Sequence, residues 1–306
     1  MVVNKQYETL VINNIMERFR VDFNTFSREQ KLKLFAMIIM SDGYIHKSKS
    51  SYSLRLVTCK SSLGQHELFS KISFDLFRKK PRFYRGEFIT SELFSIRAVK
   101  ELLKLSPSFK TTPYKETIKG YLLSPQPTIS FIFNESDSFK WLAVSIWLDF
   151  DGSISPFFSL KNKADNKNGR IYRYYQVQFE CEIKISETNP NLIEEFLYLL
   201  KSLGLGPIKK EDKRNWNGLG GILIIRLSDI KEFLRKITLL TSVKVSKGRL
   251  YNGLSKKSIA SGVKEILNSN MPLSKYFKDK NRALQYKNFL NSLLYKKIRE
   301  YDSLLV

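Results

Sequence analysis

Residues 141–154 read WLAVSIWLDFDGSI, and residues 34–45, about a hundred positions earlier, read LFAMIIMSDGYI. Each is an apolar run of mostly helix-forming residues without a polar stripe, the pattern of a helix buried between neighbours. Each closes on an acid and a glycine, Asp42-Gly43 and Asp151-Gly152. The glycines are expected to stop the helices by accepting the backbone conformation past a helix end. Packed side by side, two such helices would bring Asp42 and Asp151 to one point. Crowded carboxylates repel unless a cation lies between them, so the pair predicts a divalent metal site.

The 306 residues carry 52 Lys and Arg against 29 Asp and Glu, a formal charge of +23. That surplus predicts a polyanionic partner, nucleic acid ahead of a membrane surface. With 42% hydrophobic residues, 22 Phe and 15 Tyr, the chain can build a core and is not disordered. The apolar runs at 32–40 and 141–148 are too short to cross a bilayer and no signal peptide opens the chain. The expectation is therefore an intracellular protein, in a prokaryotic cytoplasm or an organelle, that is neither secreted nor membrane-bound. Cys59 and Cys181 form no CxxC pair, and His46 and His66 are the sole histidines, which excludes a Cys/His zinc site.

Outward from these stretches, a helical pattern with Leu10, Ile12, Ile15, Met16 and Phe19 opens the chain. Ser27 to Gln30 then reads as a capping box for a helix starting near 28. After Gly43, polar Ser51, Ser53 and Arg55 alternate with Tyr52, Leu54 and Leu56, a half-buried strand. A helix over 62–78, two short strands around Gly86 and a helix over 96–105 follow. Four prolines between 107 and 127 mark a connector. The second half repeats the order, with a strand over 170–186, a helix over 191–203 ended by Gly204, a hairpin of 208–215 and 222–227 across a Gly-rich turn, and a closing helix over 230–240. Basic helical segments broken at Pro272 complete the chain.

On the strand over 170–186, Arg170, Tyr172, Tyr174, Gln176, Gln178, Glu180, Glu182 and Lys184 alternate with mostly apolar residues. One face enters the core; the other carries the groups that read base edges in a major groove. Arg55, Arg82 and Arg226 are placed on further strands of the same kind. Lysine-rich turns, with Lys161, Lys163 and Lys167 in one and Lys209, Lys210 and Lys213 in another, are expected to neutralise phosphates.

The nonapeptides Phe35 to Gly43 and Val144 to Gly152 resemble the paired motifs of the LAGLIDADG homing endonucleases, over about residues 28–247. The resemblance implies an α+β fold of two pseudo-twofold-related αββαββα repeats, with a central LAGLIDADG helix pair and an antiparallel β-saddle over double-stranded DNA. The expected segments are an N-terminal extension (1–27), repeat 1 (28–106), a Pro-rich linker (107–135), repeat 2 (136–247) and a basic helical C-terminal extension (248–306). It implies that Asp42 and Asp151, with the carbonyls of Ser41 and Phe150, hold Mg²⁺, for which Mn²⁺ can substitute. Lys60, Lys110 and Lys244, or Lys247, are its candidates for water activation or charge screening. Paired carboxylates holding Mg²⁺ suit phosphodiester hydrolysis by in-line displacement, so the expectation is an intron-encoded endonuclease acting as a monomer.

The chain departs from the family pattern at several points. Cys59 and Ser186 stand where a glutamine is expected at the end of each second strand, followed by Lys60 and Glu187. Met37 and Ile146 replace close-approach glycines, leaving Ala36, Ser41, Ala143 and Ser145 as the small surfaces. Met40 replaces an acid that Asp149 keeps, at a position expected to be structural. The alternatives are a maturase that assists splicing of intron RNA on the same fold, and a haloacid-dehalogenase-like phosphatase suggested by LDFDGS. The phosphatase would need a parallel sheet and a downstream acidic pair and leaves MSDG unexplained. An EF-hand lacks its third ligand and closing glutamate.

Overall fold

Ser27 starts the first helix. Its hydroxyl accepts from the Gln30 amide at 3.1 Å and its own amide donates to the Gln30 side-chain oxygen at 3.2 Å, so the capping box forms as read. The computed structural model describes residues 21–48, 51–60, 62–111, 125–245 and 251–304. The helical pattern of 10–19, most of the proline-rich connector and Lys247 lie outside them.

In chain order the elements are α1 (Arg28–Ser41), β1 (Gly43–Lys47), β2 (Tyr52–Thr58), α2 (Leu63–Phe77), β3 (Arg82–Arg85), β4 (Ile89–Phe94) and α3 (Ile96–Leu105). Then come α4 (Asp137–Asp151), β5 (Gly152–Lys167), β6 (Arg170–Ile185), α5 (Pro190–Ser202), β7 (Ile208–Glu211), β8 (Leu219–Ile224) and α6 (Leu227–Lys236). The order αββαββα thus occurs twice, in an α+β fold. Beyond it lie α7 (Lys256–Asn268), β9 (Ser274–Phe277) and α8 (Lys280–Ser303). One sheet runs β1-β2-β4-β3 with antiparallel pairing throughout; the other runs β5-β6-β8-β7, with β9 added antiparallel on β6.

The chain divides into two compact units. The first comprises the described residues of Met1–Ser153, with Lys184–Leu223 and Lys236–Val243. At its centre α1 packs against α4. Leu34 to Ile39 and Ala143 to Leu148 are almost entirely out of water, as helices apolar on every side must be. Each fully buried large side chain there contributes roughly 1.5–3 kcal/mol. Ala36, Met37, Ala143, Ser145 and Ile146 are all buried without the family's glycines.

The glycines that end these helices act otherwise than expected. Gly152 lies at φ −103 and Gly43 is not among the positive-φ glycines, so neither needs a left-handed conformation. A Cβ on Gly43 would lie 2.8 Å from Ile39 Cα, and one on Gly152 would lie 2.6 Å from Leu148 Cα. Each strand turns straight back across the end of its helix, and only a residue without a side chain fits.

Two further elements end sooner than the pattern predicts. The closing helix stops at Lys236 rather than 240, because the amides of Leu240 and Thr241 are bonded to Asp149. The hairpin turn spans 212–218, and Gly220 and Gly221 belong to β8. Gly221 has φ +115, and a Cβ there would lie 2.1 Å from the Ile185 carbonyl.

The second unit comprises Ile154–Ile183, Ile224–Arg235 and the described residues of Lys244–Val306. Lys161 and Lys163 lie on β5, not in a turn; the turn is Asn168-Gly169, both left-handed at φ 53 and 76, which closes a two-residue hairpin. Along β6 the buried and polar faces alternate from Val177 onward, but Ile171 is 67% exposed. β9 was not legible as a strand and breaks the expectation of a purely helical C-terminal segment. It pairs Tyr276 with Gln176 and Ser274 with Gln178.

Gly221→Ala should lower the unfolding free energy by at least about 2 kcal/mol, since it meets both strain and a backbone clash. Gly169→Ala, at φ +76 in open space, should cost about 1 kcal/mol. Urea midpoints of the two variants check the order.

Candidate functional site

Asp42 is the C-cap of α1 and Asp151 the last residue of α4. Both are half-buried, open enough to meet a ligand. They sit where the helix dipole is negative, so the dipole favours neither charge. The Asp151 carbonyl accepts from the Ser186 amide at 2.9 Å, fixing the turn into β5. Ser41 donates its hydroxyl to the Ile38 carbonyl, and Phe150 is buried.

The residue that joins the two motifs went unnoticed in the sequence. Gln65, at the third position of α2 and 2% exposed, directs its Nε2 at the Asp149 carbonyl oxygen at 3.2 Å and at Asp42 Oδ2 at 3.4 Å. One nitrogen thus touches the acid of the first motif and the last turn of the second motif helix. Its Oε1 is buried with no partner among the described residues. Nothing in the local pattern distinguishes this glutamine from a surface one.

Asp149 is fully buried and structural. Its Oδ2 accepts from the amides of Leu240 and Thr241 at 2.6 and 3.1 Å. Ser145, one turn earlier, accepts from the Thr238 amide at 3.1 Å and donates to the Trp141 carbonyl at 2.7 Å. Residues four apart share a helix face, and this face anchors the segment after α6. His66, beside Gln65, is held between Thr58 Oγ1 and Ser91 Oγ, both at 2.8 Å. Burial holds its ring down at about 4, so it is neutral at pH 7.

Cys59 is exposed, with Sγ 3.2 Å from the Ser62 hydroxyl. Lys60 is exposed. Glu187, after Ser186, is buried and pushed up to about 7, while accepting from the Thr188 and Asn189 amides at 2.7 Å each. Lys110 is exposed in the first unit; Lys244 is exposed in the second, where its backbone bridges to Ser255.

The polar face of the first sheet carries a cross-strand row of Tyr44, Arg55, Glu92 and Arg82. Arg55 is not free as a reader: its Nε bonds Glu92 Oε1 at 2.7 Å, and Ser53 donates to the same oxygen at 2.6 Å. These bonds to Arg55 and Ser53 hold the Glu92 carboxyl below the usual range against its burial. Arg82 lies over the Phe94 ring at 4.9 Å. In the second unit Lys161 is paired with Glu180 at 2.5 Å, and Ser159 donates to the same carboxylate at 2.8 Å. Gln176 is buried because its Nε2 bonds the hydroxyls of Ser274 at 2.8 Å and Tyr276 at 3.3 Å. Tyr174 donates to Asp165 at 3.3 Å. The expected row of free readers is therefore partly committed to its own neighbours. Arg170, Tyr172, Glu182, Lys163 and Arg226 are exposed, and Gln178 and Lys184 are half-buried. Lys209 is ion-paired with Glu194, and Lys210 and Lys213 are exposed.

Asp42 and Asp151 offer hard oxygen donors, as do carbonyls at the ends of α1 and α4, donors of the kind that fit Mg²⁺ and not a thiolate or imidazole metal. Among the described residues no group of three or more His, Cys, Asp and Glu gathers as a metal cluster. A two-carboxylate site nevertheless suits an ion that keeps most of its waters.

Residues 168–238 match the family model of the LAGLIDADG-like domain. That segment of the chain is a LAGLIDADG-like domain. The match covers β6 to α6 of the second repeat and begins after its motif helix. No curated protein matches. Among solved structures, the chain is similar to I-SmaMI bound to an uncleaved DNA target with calcium ions, at 13% identity over 89% of this chain and 97% of that one, with a TM-score of 0.48. It is also similar to the LAGLIDADG meganuclease I-AabMI bound to uncleaved DNA, at 10% identity over 85% and 98%, with a TM-score of 0.47.

The three motif acids should separate by stability. Asp149→Ala strands two buried amides and should cost about 2–4 kcal/mol. Asp42→Asn and Asp151→Asn remove charge from helix C-termini and should leave metal-free stability unchanged or raise it by up to about 1 kcal/mol. Thermal unfolding in EDTA measures all three.

Proposed function

We propose that this chain is a site-specific, metal-dependent endonuclease that makes double-strand breaks in a long DNA target, encoded within an intron and acting as a monomer. The observation that carries the reading is the junction at the ends of the two motif helices. There the Asp42 carboxylate shares the Gln65 amide with the last turn of α4, in a chain of charge +23. Two acids held at negative helix ends favour a function over a structural role.

In this reading Asp42 and Asp151, with the carbonyls of Ser41 and Phe150, would hold Mg²⁺, or Mn²⁺ in its place. The ion supplies charge compensation and a more acidic water at the phosphate. Arg170, Tyr172, Gln178, Glu182, Lys184 and Arg226 contact base edges. Lys163, Lys210 and Lys213 hold phosphates and set the register. Lys60 and Lys110 would screen charge at the phosphates, and Lys244, in the second unit, would contact the DNA backbone. Arg55, Glu180, Gln176, Lys161 and Lys209 meet DNA only by exchanging their present partners, so they contribute shape and register first. The expected division into two repeats, linker and extensions goes with this assignment.

Selection from a random duplex library in Mg²⁺ tests it, and discrete double-strand breaks are the expected outcome. Asp42→Asn and Asp151→Asn should each lower the cleavage rate by at least about 10³-fold, on the scale of losing a transition-state charge, with duplex affinity within about threefold of wild type. Stimulated splicing of intron RNA without any cleavage would replace the reading with the maturase. Affinity should also fall more than about tenfold per doubling of salt if about six phosphates are neutralised; a flat response in a filter-binding titration would remove the basic faces from the interface.

A further inference from the structure

A buried glutamine needs a reason, since its amide loses several hydrogen bonds to water and Gln65 recovers few of them here. Its Nε2 makes two bonds and its Oε1 none among the described residues. The third position of α5, by count, is Leu192, also fully buried. An apolar residue fills that position there, whereas in α2 it carries an amide.

The two acceptors of Nε2 identify that purpose. One is the backbone of α4 two residues before Asp151; the other is the side chain of Asp42. The 3.4 Å bond to Asp42 is long, as bonds to catalytic groups often are before a ligand is bound. The bond to the Asp149 carbonyl at 3.2 Å is the firmer, so Gln65 is anchored on α4 and leans toward Asp42. Asp149 in turn is fixed by the Leu240 and Thr241 amides, which gives the anchor a rigid base.

We infer that Gln65 is a positioning residue, which holds the Asp42 carboxylate against the end of the second motif helix and so sets the affinity of the two-acid site for a divalent cation. The inference rests on the endonuclease reading but concerns metal binding, which can be measured without cleavage. Outer partners of ligating carboxylates typically carry about 10–100-fold in metal affinity.

The test is Mn²⁺ titration of the full chain, followed by electron paramagnetic resonance, on wild type, Gln65→Met and His66→Gln. Met fills the volume without donating. His66→Gln disturbs the adjacent buried position, held by Thr58 and Ser91 and touching neither acid, and serves as the control for lost stability. Gln65→Met should weaken Mn²⁺ binding roughly tenfold, with a matching rise in the Mg²⁺ concentration for half-maximal cleavage, while His66→Gln lowers the unfolding temperature and leaves Mn²⁺ affinity within twofold. Equal Mn²⁺ affinity in Gln65→Met and wild type would overturn the inference. So would an equal loss in both variants, which would mark a general loosening. If wild type binds Mn²⁺, loses affinity in Gln65→Met, and yet cuts no duplex, the endonuclease reading fails and the assignment of Gln65 stands.

Discussion

Two helices that are apolar on every side can be buried only if they pack on each other and on everything around them, and this requirement governs the first unit. Once α1 and α4 lie together, their polar groups can emerge only at the ends. Their C-terminal ends bring four-residue sets of unsatisfied carbonyls, a negative dipole, and Asp42 and Asp151. The strands then turn back so tightly that Gly43 and Gly152 have no room for a Cβ. The packing that stabilises the fold thus brings Asp42 and the end of α4 within reach of one side chain, Gln65. In the proposed function a cation balances the charge there.

The three motif acids illustrate how environment divides one residue type between tasks. Asp149 faces inward and is consumed by the Leu240 and Thr241 amides. Asp151, two residues on, lies on another side of the helix and remains open, as does Asp42. The first motif has Met40 where the second has Asp149, and Met40 is buried in the core. The two repeats therefore share the open acid and differ in the buried one. The same asymmetry extends to Gln65 against Leu192, and to β9, which extends only the second sheet.

The basic faces are also less uniform than a charge count suggests. Arg55 with Glu92 and Lys161 with Glu180 are already neutralised by partners across the strands, at a geometry that organises the sheets. Such pairs fix the direction of the side chains around them. Lys163, Arg170 and Lys210, by contrast, are exposed.

The residues alone determined the repeated αββαββα order, the capping box at Ser27 and the placement of Asp42 and Asp151 at the ends of two buried helices, because helix periodicity, caps and strand alternation are local properties. They could not specify what a side chain meets across a hundred positions. The stop of α6 at Lys236 depends on Asp149, the strand at 274–277 on Gln176 and its neighbours, and the need for Gly43 and Gly152 on backbone approach rather than on φ. Gln65 is the clearest case. Its identity is visible in the sequence, but its role exists only because the α1–α4 packing brings Asp42 and the Asp149 carbonyl within reach of a single nitrogen.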